Sequence, residues 1–181
     1  MDYHNKLSTV FMVSFISNSS NLIKFRSLTN CMAGGHVSDN ACQNSLNDCA
    51  EANLDVQYLM AVCQSTPTNY YYWNSTTDYW EGFLIDLSNR VTSATPLVVS
   101  ISYGSREYYF STSYLRSFNI EALKLAAQGV TLIASSGDDG ANYLYSMGYA
   151  DCSYTPDFPA SSPFVTAVGA TQVNDVFSIL Q

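Results

Sequence analysis

The sequence predicts an α/β domain with a mostly parallel sheet, and three observations carry that prediction. Short, continuous apolar runs rich in β-branched residues recur at 96–104 ("PLVVSISYG"), 130–137 ("VTLIASSG") and 164–171 ("FVTAVGAT"). Such runs suit strands buried on both faces of a parallel sheet. Helical patterns alternate with them, and strand–helix–strand order implies crossover units with helices on the sheet's faces. The chain also contains no run of 18 apolar residues, so no transmembrane helix is expected.

The elements follow in order. Residues 7–16 ("LSTVFMVSFI") have the length of a signal-peptide apolar region, but Asp2 precedes them and no small-x-small cleavage site follows. A short strand with a turn is the alternative, and the sequence leaves both open. Residues 49–63 ("CAEANLDVQYLMAVC") read as a helix, 68–73 ("TNYYYW") as a strand and 79–91 ("YWEGFLIDLSNRV") as an amphipathic helix. The strand at 96–104 is followed by a helix over 113–129 that Gly129 closes as its cap. The strands at 130–137 and 164–171 complete the sheet, both expected to be buried.

The first helix carries an oddity. Glu51 and Asp55 stand four residues apart and therefore share a face. At about 100° per residue, Asn53, Gln57 and Gln64 form a narrow wet stripe, and the two acids fall opposite it among Ala52, Leu54, Tyr58, Leu59 and Val62. On a solvated helix the pair would cost only about 0.2–0.5 kcal/mol. Buried, both could not ionise cheaply, and one pKa should rise.

Composition narrows the functions available. With 47% apolar residues, 181 residues are enough for one cored domain. A net charge of −8 argues against nucleic acid or an anionic membrane as partner and suits an acidic compartment. The five cysteines (31, 42, 49, 63 and 152) form no C-x-x-C pair, and His4 and His36 are not spaced with them as zinc ligands, so no metal site is expected from them. Disulfides among Cys31, Cys42 and Cys49 fit an oxidising compartment, with one thiol left over by the odd count. Asn18 and Asn74 head glycosylation sequons.

In open α/β sheets, ligands bind beyond the carboxyl ends of the strands. Two strand ends are suggestive here, "SISYGS" (100–105) and "ASSGDDGAN" (134–142). The second sets glycine, small residues and two acids where backbone must approach something closely. An ordinary Gly-Asp turn or an Asp-x-Asp calcium loop are the competing readings. A histidine-based serine triad would have to use His36 of "AGGHVSD", whose flanking residues do not match such a motif.

Four blocks, in order, resemble the sedolisin family of serine-carboxyl peptidases, which includes a lysosomal tripeptidyl peptidase and secreted acid endopeptidases: "EANLDVQY" (51–58), "LVVSISYG" (97–104), "VTLIASSGDDGA" (130–141) and "FPASSPFVTAVGAT" (158–171). The resemblance leaves residues 1–45 unassigned and places a partial peptidase domain over 46–181. It implies a three-layer, subtilisin-like fold, incomplete at its C-terminal end, and hydrolysis of peptide bonds at acidic pH, by tripeptide removal or internal cleavage. It also implies a secreted, lysosomal or vacuolar location and peptide or protein substrates.

By that likeness Glu51 is the general base and Asp55 hydrogen-bonds it and shares its proton. Asp138 is the oxyanion-hole acid, which must be protonated to donate a hydrogen bond. Its neighbour Asp139 is expected to be a solvated turn residue. Ser102, Tyr103, Gly104, Ser135, Ser136 and Gly137 line the substrate cleft and pair with the peptide as an added strand. The family's nucleophilic serine lies in a Gly-Thr-Ser segment, which occurs nowhere in these 181 residues. Its calcium ligands lie farther downstream still, so calcium is implied for the family with ligands outside this chain, and the family's propeptide is absent too. The expectation is the front part of a catalytic domain, inactive alone. The alternative is a non-catalytic, truncated paralogue that at most binds peptides.

Overall fold

The computed structural model of the chain describes residues 10–15, 47–63, 68–73, 80–89, 96–140 and 154–170. The sequons at Asn18 and Asn74, and Cys31, Cys42 and Cys152, lie outside them. Cys63 is a free thiol.

Five strands form one sheet in the order β2 (Thr68–Trp73), β1 (Val10–Phe15), β3 (Val98–Ile101), β5 (Thr131–Ser135) and β7 (Thr166–Val168). β3, β5 and β7 are the three apolar runs, and they form a contiguous parallel array with Val99 opposite Leu132 and Ala134 opposite Ala167. The strand within residues 7–16, β1, pairs antiparallel with both β2 and β3 and so joins the N-terminal segment to the same sheet. A second ribbon pairs β4 (Ser105–Arg106) with β6 (Asp157–Phe158), antiparallel.

Three helices accompany the sheet. α1 (Asn47–Val62) lies against β1 and β2, α2 (Glu81–Ser88) packs on α3 (Thr112–Ala127), and α3 packs on β5. α3 begins where the Ser111 hydroxyl accepts the Tyr114 amide at 3.2 Å. It ends in a Schellman turn: Gly129 takes φ +83, its N–H donates to Ala126 O, and the Val130 N–H donates to Leu125 O. Leu125 and Val130 are both buried, so the apolar contact that accompanies this turn is present. The Tyr114 hydroxyl accepts the Trp80 N–H at 3.1 Å, which ties the start of α2 to α3.

Alternation along the parallel strands sets the core. Val99, Ile101, Leu132 and Ala134 are buried and join Trp80, Phe83, Leu84, Leu87, Phe118 and Leu125 in one cluster. Phe158 of β6 closes it, with its ring 4.6 Å from Phe118, 5.3 Å from Phe110 and 5.5 Å from Trp80, in tilted or edge-on contacts. β6 is only two residues long, and this anchor fixes where it lies.

Two expectations are corrected. β7 was expected to be a buried strand, yet Thr166, Ala167 and Val168 are all exposed, because β7 is the edge of the sheet among the described residues. The predicted dry face of α1 holds only in part. Leu54, Tyr58 and Val62 are 50%, 68% and 79% exposed, whereas Asp55, Leu59 and Cys63 are the half-buried stripe. The helix turns toward the sheet the face that holds Asp55 and Leu59, and Leu54, Tyr58 and Val62 lie on the outer side.

Candidate functional site

Asp55, Ser102 and Ser135 lie where β3 and β5 end. Ile101 pairs with Ala134, so Ser102 and Ser135 leave the sheet side by side, and Asp138 follows three residues after Ser135. α1 brings Asp55 to the same end. The Ser102 hydroxyl donates to Asp55 Oδ1 at 2.9 Å across 47 residues of sequence. Burial raises the Asp55 pKa above 3.8, and the Ser102 hydrogen bond, which favours the anion, offsets part of that rise. Glu51 sits four residues earlier on α1, and its side chain lies outside what the structure describes.

The two cleft triplets have defined surroundings. Ser102 is engaged with Asp55. The Tyr103 ring lies 6.4 Å from that of Trp80 and packs on the core. A side chain at Gly104 would meet the Phe158 carbonyl oxygen at 3.1 Å, so glycine there permits β6 to approach. In the second triplet Ser135 and Ser136 are exposed, and the Ser136 N–H donates to Val168 O at 2.9 Å, which extends the β5–β7 ladder by one bond. Gly137 has φ +89, and a Cβ there would collide with the Asp157 carboxylate.

Asp139 is not the solvated turn residue expected. It is half-buried and pairs with Arg106 Nη2. The same guanidinium reaches Asp157 Oδ1 through Nη1 at 2.9 Å and Thr155 O at 3.4 Å. Asp157 is pushed above the usual aspartate value, first by burial; Arg106 opposes the rise, and Asp139 and Asp138 add to it. Sequence reasoning passed over both Arg106 and Asp157. The available signal was scarcity: seven basic residues face fifteen acidic ones, and Arg106 stands two places after the "SYG" strand end.

Among the described residues no group of three or more His, Cys, Asp or Glu side chains is arranged to hold a metal ion. The carboxylates of Asp139 and Asp157 close on a guanidinium, which does not fit calcium. Among the same residues no helix is long and apolar enough to cross a membrane.

No family model matches the sequence. Tripeptidyl-peptidase 1 of Macaca fascicularis and of Homo sapiens are each 42% identical to the chain over 132 residues, and that of Bos taurus is 40% identical over 132. Each alignment covers 71% of this chain, and the chain spans 23% of the relatives' length. A solved Pseudomonas sedolisin, a serine-carboxyl proteinase complexed with two molecules of pseudo-iodotyrostatin, is 30% identical, covers 60% of this chain and 30% of its own, and superposes with a TM-score of 0.47. On the sequence relationship to the tripeptidyl peptidases, the chain belongs over that aligned segment to the sedolisin family of serine-carboxyl peptidases and is tripeptidyl-peptidase-like.

Proposed function

We propose that this chain contributes the acid pair and the oxyanion acid of a serine-carboxyl peptidase that hydrolyses peptide bonds in acidic surroundings. The observation that carries the reading is Asp55. It is a half-buried carboxyl held by Ser102, with its pKa raised, at the sheet end where Asp138 also lies. Such a group keeps its proton to higher pH than a solvated aspartate and suits proton sharing with Glu51 one helical turn away.

In the reaction, Glu51 takes the proton from a serine hydroxyl as the serine oxygen bonds to the scissile carbonyl carbon. The carbonyl electron pair moves onto oxygen, and protonated Asp138 donates a hydrogen bond to that oxyanion. When the tetrahedral species collapses, the C–N bond breaks and Glu51 returns the proton to the departing amine. Water then releases the acyl group by the same path in reverse. Asp55 steadies Glu51 and holds the shared proton. The backbone of Ser102–Gly104 and Ser135–Gly137 aligns the peptide. The relatives' name supports removal of tripeptides over internal cleavage. A net charge of −8 supports work in an acidic compartment, secreted or lysosomal. These 181 residues contain no Gly-Thr-Ser segment, so the nucleophile is not supplied by that motif here and they do not turn over peptide unaided.

A chimera tests the reading. The matching 132-residue segment of human tripeptidyl-peptidase 1 is replaced by that of this chain, and acid tripeptide release is measured. The chimera is expected to be active, and E51Q and D55A to abolish most of that activity. D138A should lower kcat by roughly 10²–10³ with KM little changed. A folded chimera that is inactive, or one indifferent to Asp138, contradicts the reading.

A further inference from the structure

We propose that Arg106 is a positioning residue for the loop that presents Asp138, a role that rests on the reading of Asp138 as oxyanion donor. Asp138 lies between two residues that the arginine holds by separate routes. On one side, Asp139 pairs directly with Nη2. On the other, Gly137 lies so close to the Asp157 carboxylate that a Cβ could not be inserted, and that carboxylate is bound to Nη1 at 2.9 Å. Arg106 and Asp157 are cross-strand partners in the β4–β6 ribbon, so the fork starts from paired backbone. The Phe158 side chain, fully packed in the core, fixes the ribbon.

The chemistry of the clamp requires arginine. Its two terminal nitrogens diverge in one plane and reach different carboxylates at once, which a single ammonium on a flexible stem does not reproduce. Arg106 is a buried residue, at 8% exposure, so water screens these contacts weakly. Asp138 itself is exposed at the loop's tip, free of the packing that orders the core. Its placement then depends on the residues at either side, and both are tied to one buried cation.

Backbone ¹⁵N relaxation of the full 181-residue chain tests this. In the wild type the order parameters of residues 137–140 are expected near the rigid value of about 0.85; in R106Q and in D139N they should fall below about 0.6, while those of α3 stay unchanged. R106K, which keeps the charge without the fork, should recover overall stability but not loop order. If R106Q fails to fold, D139N decides, because Arg106 then retains Asp157. Order parameters over 137–140 that are unchanged in D139N, or fully restored by R106K, overturn the proposal. In the tripeptidyl-peptidase chimera, D139N should lower kcat about tenfold with KM unchanged, the sign of a misplaced transition-state group. An unchanged kcat would break the link from loop to Asp138. These measurements stand apart from the functional reading: relaxation reads the loop without turnover, and D138A alone tests what Asp138 does.

Discussion

Asp55 and Asp157 are both drawn into the protein beyond the ends of β3 and β5, and burial raises the pKa of both, yet they are held in different ways. Asp55 has a neutral partner, the Ser102 hydroxyl, and no cation among its described contacts. Asp157 has a guanidinium at 2.9 Å. A hydroxyl stabilises a carboxylate only modestly, so burial still favours the proton on Asp55. A buried arginine offsets part of the burial that favours the proton on Asp157 and fixes where that carboxylate lies. The difference separates a site suited to exchanging protons from one suited to holding geometry.

The largest expected effect removes the anchor of the second site. F158A should cost roughly 3–5 kcal/mol, because Phe158 fills the centre of the aromatic cluster, and should loosen the Arg106–Asp157 pair. Chemical denaturation gives the loss, and carboxyl NMR should show the Asp55 titration unmoved. If both sites change together, they are not separate.

R106Q comes next, with about 3 kcal/mol of destabilisation at pH 7, because Asp157 would be left buried without its cation. The loss should shrink toward pH 3 as Asp157 takes up a proton. A loss independent of pH would mean that packing of the arginine stem, not charge, is what matters.

On the Asp55 side the effects are smaller. S102A should cost about 1 kcal/mol and raise the Asp55 titration midpoint, since it removes the bond that favours the anion. D55N should show the sign of the linkage. A carboxyl whose folded pKa is raised contributes stability that is fully present below its unfolded value and is lost as pH rises through the folded one. The Tm of D55N relative to wild type should therefore become more favourable between pH 3 and pH 7, and an equal difference at both pH values would contradict the raised pKa.

The parallel strands were legible because "PLVVSISYG" and "VTLIASSG" are short, continuous and β-branched, a composition that few settings other than a buried strand satisfy. β7 has similar composition, but its exposure depends on its being last among the described strands of the sheet, which no local pattern records. The orientation of α1 was misread for a related reason. Leu54, Tyr58 and Val62 look like an inward face, and only the contact between Asp55 and Ser102, 47 residues away, shows which side meets the sheet. Asp138 was singled out by its motif, "SSGDDGA". Arg106 was missed because its value comes from carboxylates 33 residues away and beyond, one in the segment after β5 and one on β6.

Asp55 is proposed to hold its proton to higher pH than a solvated aspartate, and carboxyl ¹³C NMR titration of the 181-residue chain decides this. The expected midpoint lies above 3.8 and rises further in S102A. A midpoint at or below that value, unmoved by S102A, would contradict it.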